Sequence, residues 1–217
     1  MKKKGFIVDE LVLENYEEII MNNKMVMYYP AKGFARNLKN DWRINESVTL
    51  YQTIQIPVFV FKILKGICEI LGWKIIAQNL NIISKQPSGA DYIEALSKLD
   101  KFKNDLAMKM KDGGYDCMLL PMGVTPPILN NTGGDMGILQ SLIMFPNVMG
   151  LCCGVVHVKN VEKFEEDYVV AKEDIITKKI RKCLKGSTGL PIGVQVCALK
   201  NCEESCIRLM KELENSC

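Results

Sequence analysis

Apolar positions near the C-terminal end of the chain first alternate and then recur at helical spacing. Ile192, Val194 and Val196 alternate with smaller or polar neighbours after Pro191, a pattern typical of a half-buried strand. Asn201 can cap the segment that follows, in which charged residues separate apolar positions three or four residues apart. The spacing predicts an amphipathic C-terminal helix whose packed face consists of Cys202, Cys206, Leu209, Met210 and Leu213.

The N-terminal part of the chain carries the same two patterns in the same order. Residues Gly5 to Leu13 alternate, so we expect a strand there. Residues Glu14 to Met27 follow helical spacing, with Tyr16, Ile19, Ile20 and Lys24 on successive turns. A strand and then a helix are therefore predicted at this end as well.

Residues Val58 to Ile83 are mostly apolar but carry two polar stripes. The stripes are separated by Gly72, with Lys62, Lys65 and Glu69 on the first and Lys74, Gln78 and Asn81 on the second. A single membrane span would force four charged residues across the hydrocarbon, so two helices that meet near Gly72 fit the pattern better.

Two interpretations of this helix pair stay open from its pattern. The pair can lie on a membrane, with Trp73 and Lys74 at the interface and the lysines of the first stripe near lipid headgroups. It can also be an internal hairpin that the rest of the fold covers, which is the commoner arrangement. The candidate membrane contacts are Phe59, Phe61, Ile63, Leu64, Ile67, Leu71 and Trp73.

Composition and charge exclude several classes of protein. The 217 residues are 48% hydrophobic and 24% charged, which is ordinary for a globular protein. A net charge of +3, with no nucleic-acid motif beside it, does not predict a DNA- or RNA-binding protein. The initial Met-Lys-Lys-Lys is soon followed by acidic residues, so no apolar signal-peptide core forms and we expect no secretion.

The nine cysteines are an odd number without a CxxC pair, which fits reduced thiols in an intracellular compartment. Cys152 and Cys153 are adjacent, and His157 is the one histidine of the chain. Because no pair of cysteines has the spacing of zinc ligands, we expect neither a metal site nor a cofactor. A catalytic Cys–His pair stays open, although buried cysteines more often act as small apolar side chains.

Four blocks of the sequence resemble known hydrolases. The run GLPIGVQV at 189–196, followed by an acidic amphipathic helix, resembles the C-terminal signature of the amidase-signature serine hydrolases. Residues 115–127, YDCMLLPMGVTPP, resemble a strand of that family that leads into a proline-containing loop. GVVHV at 154–158 resembles the strand written GVVPV, with His157 in place of the proline. Residues 56–87 narrow the resemblance to the fatty acid amide hydrolases, because they look like the membrane-binding cap of that group.

The resemblance implies that an intact enzyme hydrolyses a lipid amide to a fatty acid and an amine through an acyl-enzyme. The family's machinery is a pair of serines and a lysine, with the nucleophile in a Gly/Ser-rich loop. No such run exists in this chain. A serine nucleophile needs a base within hydrogen-bond reach, so we carry over no catalytic residue and expect the chain alone to be inactive.

The resemblance also implies an acyl channel along residues 130–149. Paired without gaps from GVVHV, the channel-wall positions are Gly134, Gly137, Gln140 and Met144, with Ile176 as a further candidate. Gln140 is polar where the family prefers an aliphatic side chain, and Ile176 replaces an aromatic one. The alternative, that Ile138, Leu142 and Phe145 are core residues at helical spacing, stays open, and both can hold on opposite helix faces.

The resemblance implies an α/β fold. Residues 1–217 would form the C-terminal portion of an amidase-signature domain, a mixed twisted β-sheet flanked by helices, with the apolar hairpin 56–87 inserted. We expect a lipid amide substrate in the intact enzyme, a peripheral membrane location in a reducing compartment, and a homodimer or a complementing N-terminal half as partner. A non-catalytic, membrane-associated lipid-binding or interaction module is the alternative.

Overall fold

The computed structural model describes residues 5–37, 56–85, 88–130, 132–133, 141–167 and 174–216. The described residues form an α/β arrangement, as predicted, and their small sheet is antiparallel, whereas the resemblance implies a mixed sheet. The helices are α1 (Tyr16–Asn37), α2 (Val58–Ile70), α3 (Lys74–Lys85), α4 (Gly89–Asp112), α5 (Ser141–Met149), α6 (Ile175–Leu184) and α7 (Glu203–Glu214), with a 3-10 helix at Lys163–Glu166. The strands are β1 (Met118–Pro121), β2 (Cys152–Asn160) and β3 (Pro191–Ala198).

The chain divides into two compact units. One unit contains residues 1–16, 101–128 and 139–217, and therefore the sheet and helices α5 to α7. The other contains residues 17–100 and 129–138, and therefore most of α1 together with α2 and α3. Helix α4 contributes its first half to this second unit and its second half to the first.

The sheet has the order β1-β3-β2, and both pairings are antiparallel. Each strand comes from one of the blocks that carry the resemblance: 115–127, 154–158 and 189–196. The central strand β3 is the most buried, since Val196, Cys197 and Ala198 are completely inaccessible to solvent. The predicted strand at 192–198 is confirmed, and it pairs with both of the others.

Helix α7 packs on one face of this sheet, as its apolar spacing predicts. Cys206 and Leu213 form a buried cluster with Val156, Val196 and Ala198. A Cβ atom built at Gly154 would lie 2.2 Å from the Sδ atom of Met210, far inside van der Waals contact. The thioether end of the Met210 side chain thus occupies the space above Gly154, so α7 packs directly over the backbone of β2 there.

Helices α2 and α3 form the hairpin that the polar stripes predict. Gly72, between them, has a positive φ of 74°. Its N–H donates to the carbonyl of Glu69 at 3.1 Å, and the N–H of Trp73 donates to the carbonyl of Cys68 at 2.8 Å. These two bonds are the Schellman arrangement that ends a helix, and a glycine adopts its left-handed residue without strain. Among the described residues, none of the helices has the length and apolarity needed to cross a membrane.

Two local predictions are wrong. Residues 5–13 form no strand in the described part of the chain, because their alternation lacks a strand partner; instead the carbonyl of Val12 accepts a hydrogen bond from Lys109 Nζ at 2.6 Å. Asn201 does not cap α7: it has a φ of 65°, and Cys202 occupies the cap position without a side-chain hydrogen bond. Helix α1 is present as predicted but extends beyond Met27 to Asn37.

Candidate substrate-channel and membrane-contact residues

Helix α5 carries Met144, the one described channel candidate from the 130–149 segment. Met144 is half-buried, whereas its neighbours Phe145 and Pro146 are almost completely buried. Phe145 also contacts Tyr16, with ring centroids 5.7 Å apart. Phe145 is therefore a core residue, as one of the two interpretations predicts. The other candidates of this segment, Gly134, Gly137 and Gln140, lie outside the described residues, as does Ile138.

Ile176 lies in the first turn of α6. The helix begins with a capping box, in which Asp174 Oδ1 accepts from the N–H of Thr177 at 2.7 Å and Thr177 Oγ1 accepts from the N–H of Asp174 at 2.7 Å. Reciprocal capping fixes the start of a helix, and Ile176 is buried just behind it, with 7% of its surface exposed. Helix α6 packs on the 3-10 helix, while α5 packs on β2.

An open cavity of about 760 Å³ lies elsewhere in the same unit, between the N-terminal segment and the end of α4. Val12, Met108 and Tyr115 supply apolar surface, and Glu10, Asp105, Lys109 and Asp112 supply charges. Neither Met144 nor Ile176 lines it. The acyl-channel assignment therefore stays a prediction.

Helix α2 presents three different faces. Phe61 and Cys68, seven residues apart, are buried, with 4% and 6% of their surfaces exposed. The polar face carries Lys65 and Glu69, whose charged groups form an ion pair at 3.5 Å. The third face is apolar and exposed, and it consists of Phe59, Ile63, Leu64, Ile67, Ile70 and Leu71.

The exposed face changes the candidate membrane contacts in two ways. Phe61 is buried and therefore does not belong to the exposed apolar face. Ile70 was not predicted, yet with 87% of its surface exposed it is the most accessible apolar residue of α2. Its spacing of three and seven residues from Ile67 and Ile63 was the signal that identifies it. Trp73 is half-buried beside Gly72.

In the described part of the chain, the histidine ring is paired with an amide side chain rather than with a thiol. The Nε2 atom of His157 hydrogen-bonds to Asn160 Oδ1 at 2.8 Å on the exposed side of β2. Burial raises the pKa of Cys117 to about 11 and raises that of Cys206 as well. A thiol with a raised pKa is protonated at neutral pH and is a poor nucleophile. This arrangement does not support cysteine-based hydrolysis.

No family model matches the chain. Fatty-acid amide hydrolase 1 of Sus scrofa is 27% identical over 191 residues, a match that covers 85% of this chain and 32% of that protein. Fatty acid amide hydrolase 1 of Caenorhabditis elegans is 27% identical over 124 residues, covering 56% of this chain and 22% of that protein. The chain thus spans less than a third of the length of these curated relatives. The predicted resemblance is confirmed, and over most of its length this chain is similar to fatty acid amide hydrolases.

Proposed function

We propose that this chain is the C-terminal segment of a fatty-acid-amide-hydrolase-like serine hydrolase with an amidase-signature fold. The observation that carries the proposal is the similarity to two fatty acid amide hydrolases, one of which covers 85% of the chain. In the intact enzyme, which hydrolyses a lipid amide to a fatty acid and an amine, the segment supplies sheet strands and part of the acyl channel. It also supplies the helix pair that binds the membrane.

The sheet supports a role as part of a larger structure. Within the described residues, β1 and β2 each pair on one side only, with β3. Their outer edges therefore carry backbone N–H and C=O groups that another strand can bind. A complementing N-terminal half, or a second copy of the chain in a homodimer, would satisfy these groups.

The exposed face of α2 supports the membrane role. A contiguous apolar helix face in water is typical of an interaction surface, and here a Lys-containing stripe borders it. On a bilayer, Phe59 and Ile67 enter the acyl region while Lys62 and Lys65 remain at the level of the headgroups. This arrangement supports the proposal that the chain lies on one surface of a membrane as a peripheral protein.

The absence of a Gly/Ser-rich loop from the sequence supports the proposal that the chain is inactive alone. We expect the purified chain to resist labelling by a fluorophosphonate probe and to leave a fluorogenic fatty amide intact. Robust labelling would show that the chain holds its own nucleophile and would refute this point. An in-frame Gly/Ser-rich loop with a preceding lysine, in the genomic sequence immediately upstream, would support the enzyme.

A fatty amide that carries a photoreactive diazirine on its acyl chain separates the enzyme segment from a non-catalytic lipid-binding module. If α5 and α6 line an acyl channel, adducts will map to peptides that contain Met144 and Ile176. Adducts confined to α2 and α3 would instead support the alternative, in which the hairpin alone contacts lipid. A probe with the diazirine at the amine end is the matched control, because it samples the opposite end of the substrate.

A further inference from the structure

Two cysteines face each other across the sheet. Cys153 on β2 lies directly opposite Cys197 on β3, and their Sγ atoms are 3.3 Å apart. Directly opposed residues of an antiparallel pair have Cα atoms about 4.5–5.5 Å apart, which lies within the range of about 4.4–6.8 Å found across disulfides. A disulfide therefore closes here by small side-chain rotations, without a change of register.

The two thiols differ in their access to solvent. Cys153 is exposed on the edge strand, whereas Cys197 is completely buried on the central strand. The thiol of Cys197 donates to the Sγ atom of Cys153, and burial is the main reason that its pKa is raised. A dissolved oxidant reaches Cys153 first, and the buried thiol of Cys197 lies within contact distance of the Cys153 sulfur. This is the order of access that a reactive and a resolving cysteine require.

The neighbouring thiols lie on the other face of the sheet, beneath α7. Cys152, next to Cys153 in sequence, points to that face because side chains alternate along a strand. Its thiol donates to the carbonyls of Ala198 and Leu199 at 3.5 and 3.4 Å, and that of Cys206 donates to the carbonyl of Val196 at 3.1 Å. In the described ranges, no three His, Cys, Asp or Glu side chains are arranged to hold a metal ion. Cys153 and Cys197 therefore lie on the face of the sheet opposite Cys152 and Cys206, where their two thiols can react with each other.

We propose that Cys153 and Cys197 are a redox modification site, at which a hydroperoxide drives formation of a disulfide between β2 and β3. The Cys153 thiolate attacks one peroxide oxygen, the O–O bond breaks, and a sulfenic acid forms as the other oxygen leaves and takes a proton. The Cys197 thiol then gives its proton to the sulfenic oxygen as its sulfur attacks the sulfenic sulfur; the S–S bond forms, the S–O bond breaks, and water leaves. Overall the two thiols lose two electrons and two protons, and hydrogen peroxide becomes two waters.

The disulfide would change the sheet in a measurable way. Strand β2 is an edge strand among the described residues, and β3 is the central strand. A covalent link between them opposes local opening of β2. The backbone amides of β2 are therefore expected to exchange with solvent more slowly, by up to roughly tenfold. A dithiol reductant restores the faster exchange.

The test treats the reduced, purified chain with a small molar excess of hydrogen peroxide, then alkylates it and maps its peptides by mass spectrometry. The expected product is one peptide pair joined through Cys153 and Cys197, lighter by two hydrogens and broken by dithiothreitol. Cys153→Ser should abolish the link, and the matched neighbour Cys152→Ser should keep it. Cys197→Ser should leave a sulfenic acid on Cys153 that dimedone traps.

Three results would overturn the proposal: a link between Cys152 and Cys206, an intermolecular Cys153 dimer, or sulfinic acid on Cys153 with Cys197 still reduced in the unaltered chain. If Cys197→Ser does not fold, the exposed Cys153→Ser variant and the peptide map of the unaltered chain decide the question. The unfolding transition of each reduced variant at positions 152 and 153 is measured alongside. A cooperative transition in Cys153→Ser ensures that loss of the link is not due to loss of the fold.

Discussion

Phe59 and Phe61 lie two positions apart on α2, yet replacing each by alanine should affect the free energy of unfolding very differently. Phe61 is 4% exposed, and truncation of a buried phenylalanine typically costs about 3–5 kcal/mol of the free energy of unfolding. Phe59 is 63% exposed, and truncation of an exposed side chain usually changes stability by no more than about 0.5 kcal/mol. Urea denaturation followed by circular dichroism measures both.

Binding to a membrane should be weakened by Phe59→Ala, because Phe59 belongs to the exposed apolar face of α2. The exposed 63% of a side chain of roughly 200 Å², at about 25 cal/mol per Å², gives an upper value of about 3 kcal/mol for transfer into lipid. Partial insertion recovers roughly 1–2 kcal/mol of this, which corresponds to a partition coefficient about fivefold to thirtyfold lower in Phe59→Ala. Co-sedimentation with phosphatidylcholine vesicles measures this coefficient directly.

Phe164→Ala is the matched control, because Phe164 is 72% exposed but lies in the 3-10 helix of the other unit. It should leave both partitioning and stability unchanged. Equal partitioning of Phe59→Ala and the unaltered chain would refute the proposed membrane face of α2. A stable Phe61→Ala variant would refute the assignment of Phe61 to the helical packing.

Three further changes test other parts of the structure. Phe145→Ala should lower the free energy of unfolding by about 3–5 kcal/mol in urea denaturation, because Phe145 is 1% exposed; a cost below about 1 kcal/mol would contradict its place in the core. Tyr16→Phe should be neutral or stabilising by up to about 1 kcal/mol in the same assay, since the buried Tyr16 hydroxyl has no hydrogen-bond partner among the described residues; a clear loss would reveal one. The pKa of Glu166 is lowered to about 2, first by the Thr188 hydroxyl and then by Lys163, so its stabilising effect is full above about pH 4.5 and is lost as the pH falls towards 2. Glu166→Gln should therefore flatten the pH dependence of stability in that window, and an unchanged acid profile would contradict this assignment.

The elements that could be predicted from sequence are those whose local pattern and packing agree. The alternation at 192–198 and the helical spacing after Cys202 each bury one face, and β3 and α7 meet on those faces. The helix pair at 58–83 was predictable because its polar stripes break at a glycine that can adopt a positive φ. At each of these three places the local pattern of apolar residues is compatible with one type of secondary structure.

The same patterns fail where a partner decides the outcome. Residues 5–13 alternate like a strand, but a strand needs a neighbour to satisfy its backbone, and the described residues provide none there. The assignment of Met144 and Ile176 to one acyl-channel wall rests on the resemblance alone and stays a prediction. Sequence spacing carries no information about which elements become neighbours.

Local sequence patterns were sufficient to predict the resemblance to fatty acid amide hydrolases, the strand and helix blocks near the C-terminal end, and the position of the hairpin turn. Which face of α2 is exposed depends on packing between helices, which leaves Phe59 exposed and buries Phe61. The tertiary structure also brought Cys153 against Cys197, which lie far apart in the chain. A periodic pattern shows which residues share one face of a helix or strand. Whether that face is buried or exposed depends on contacts with segments that are distant in the chain.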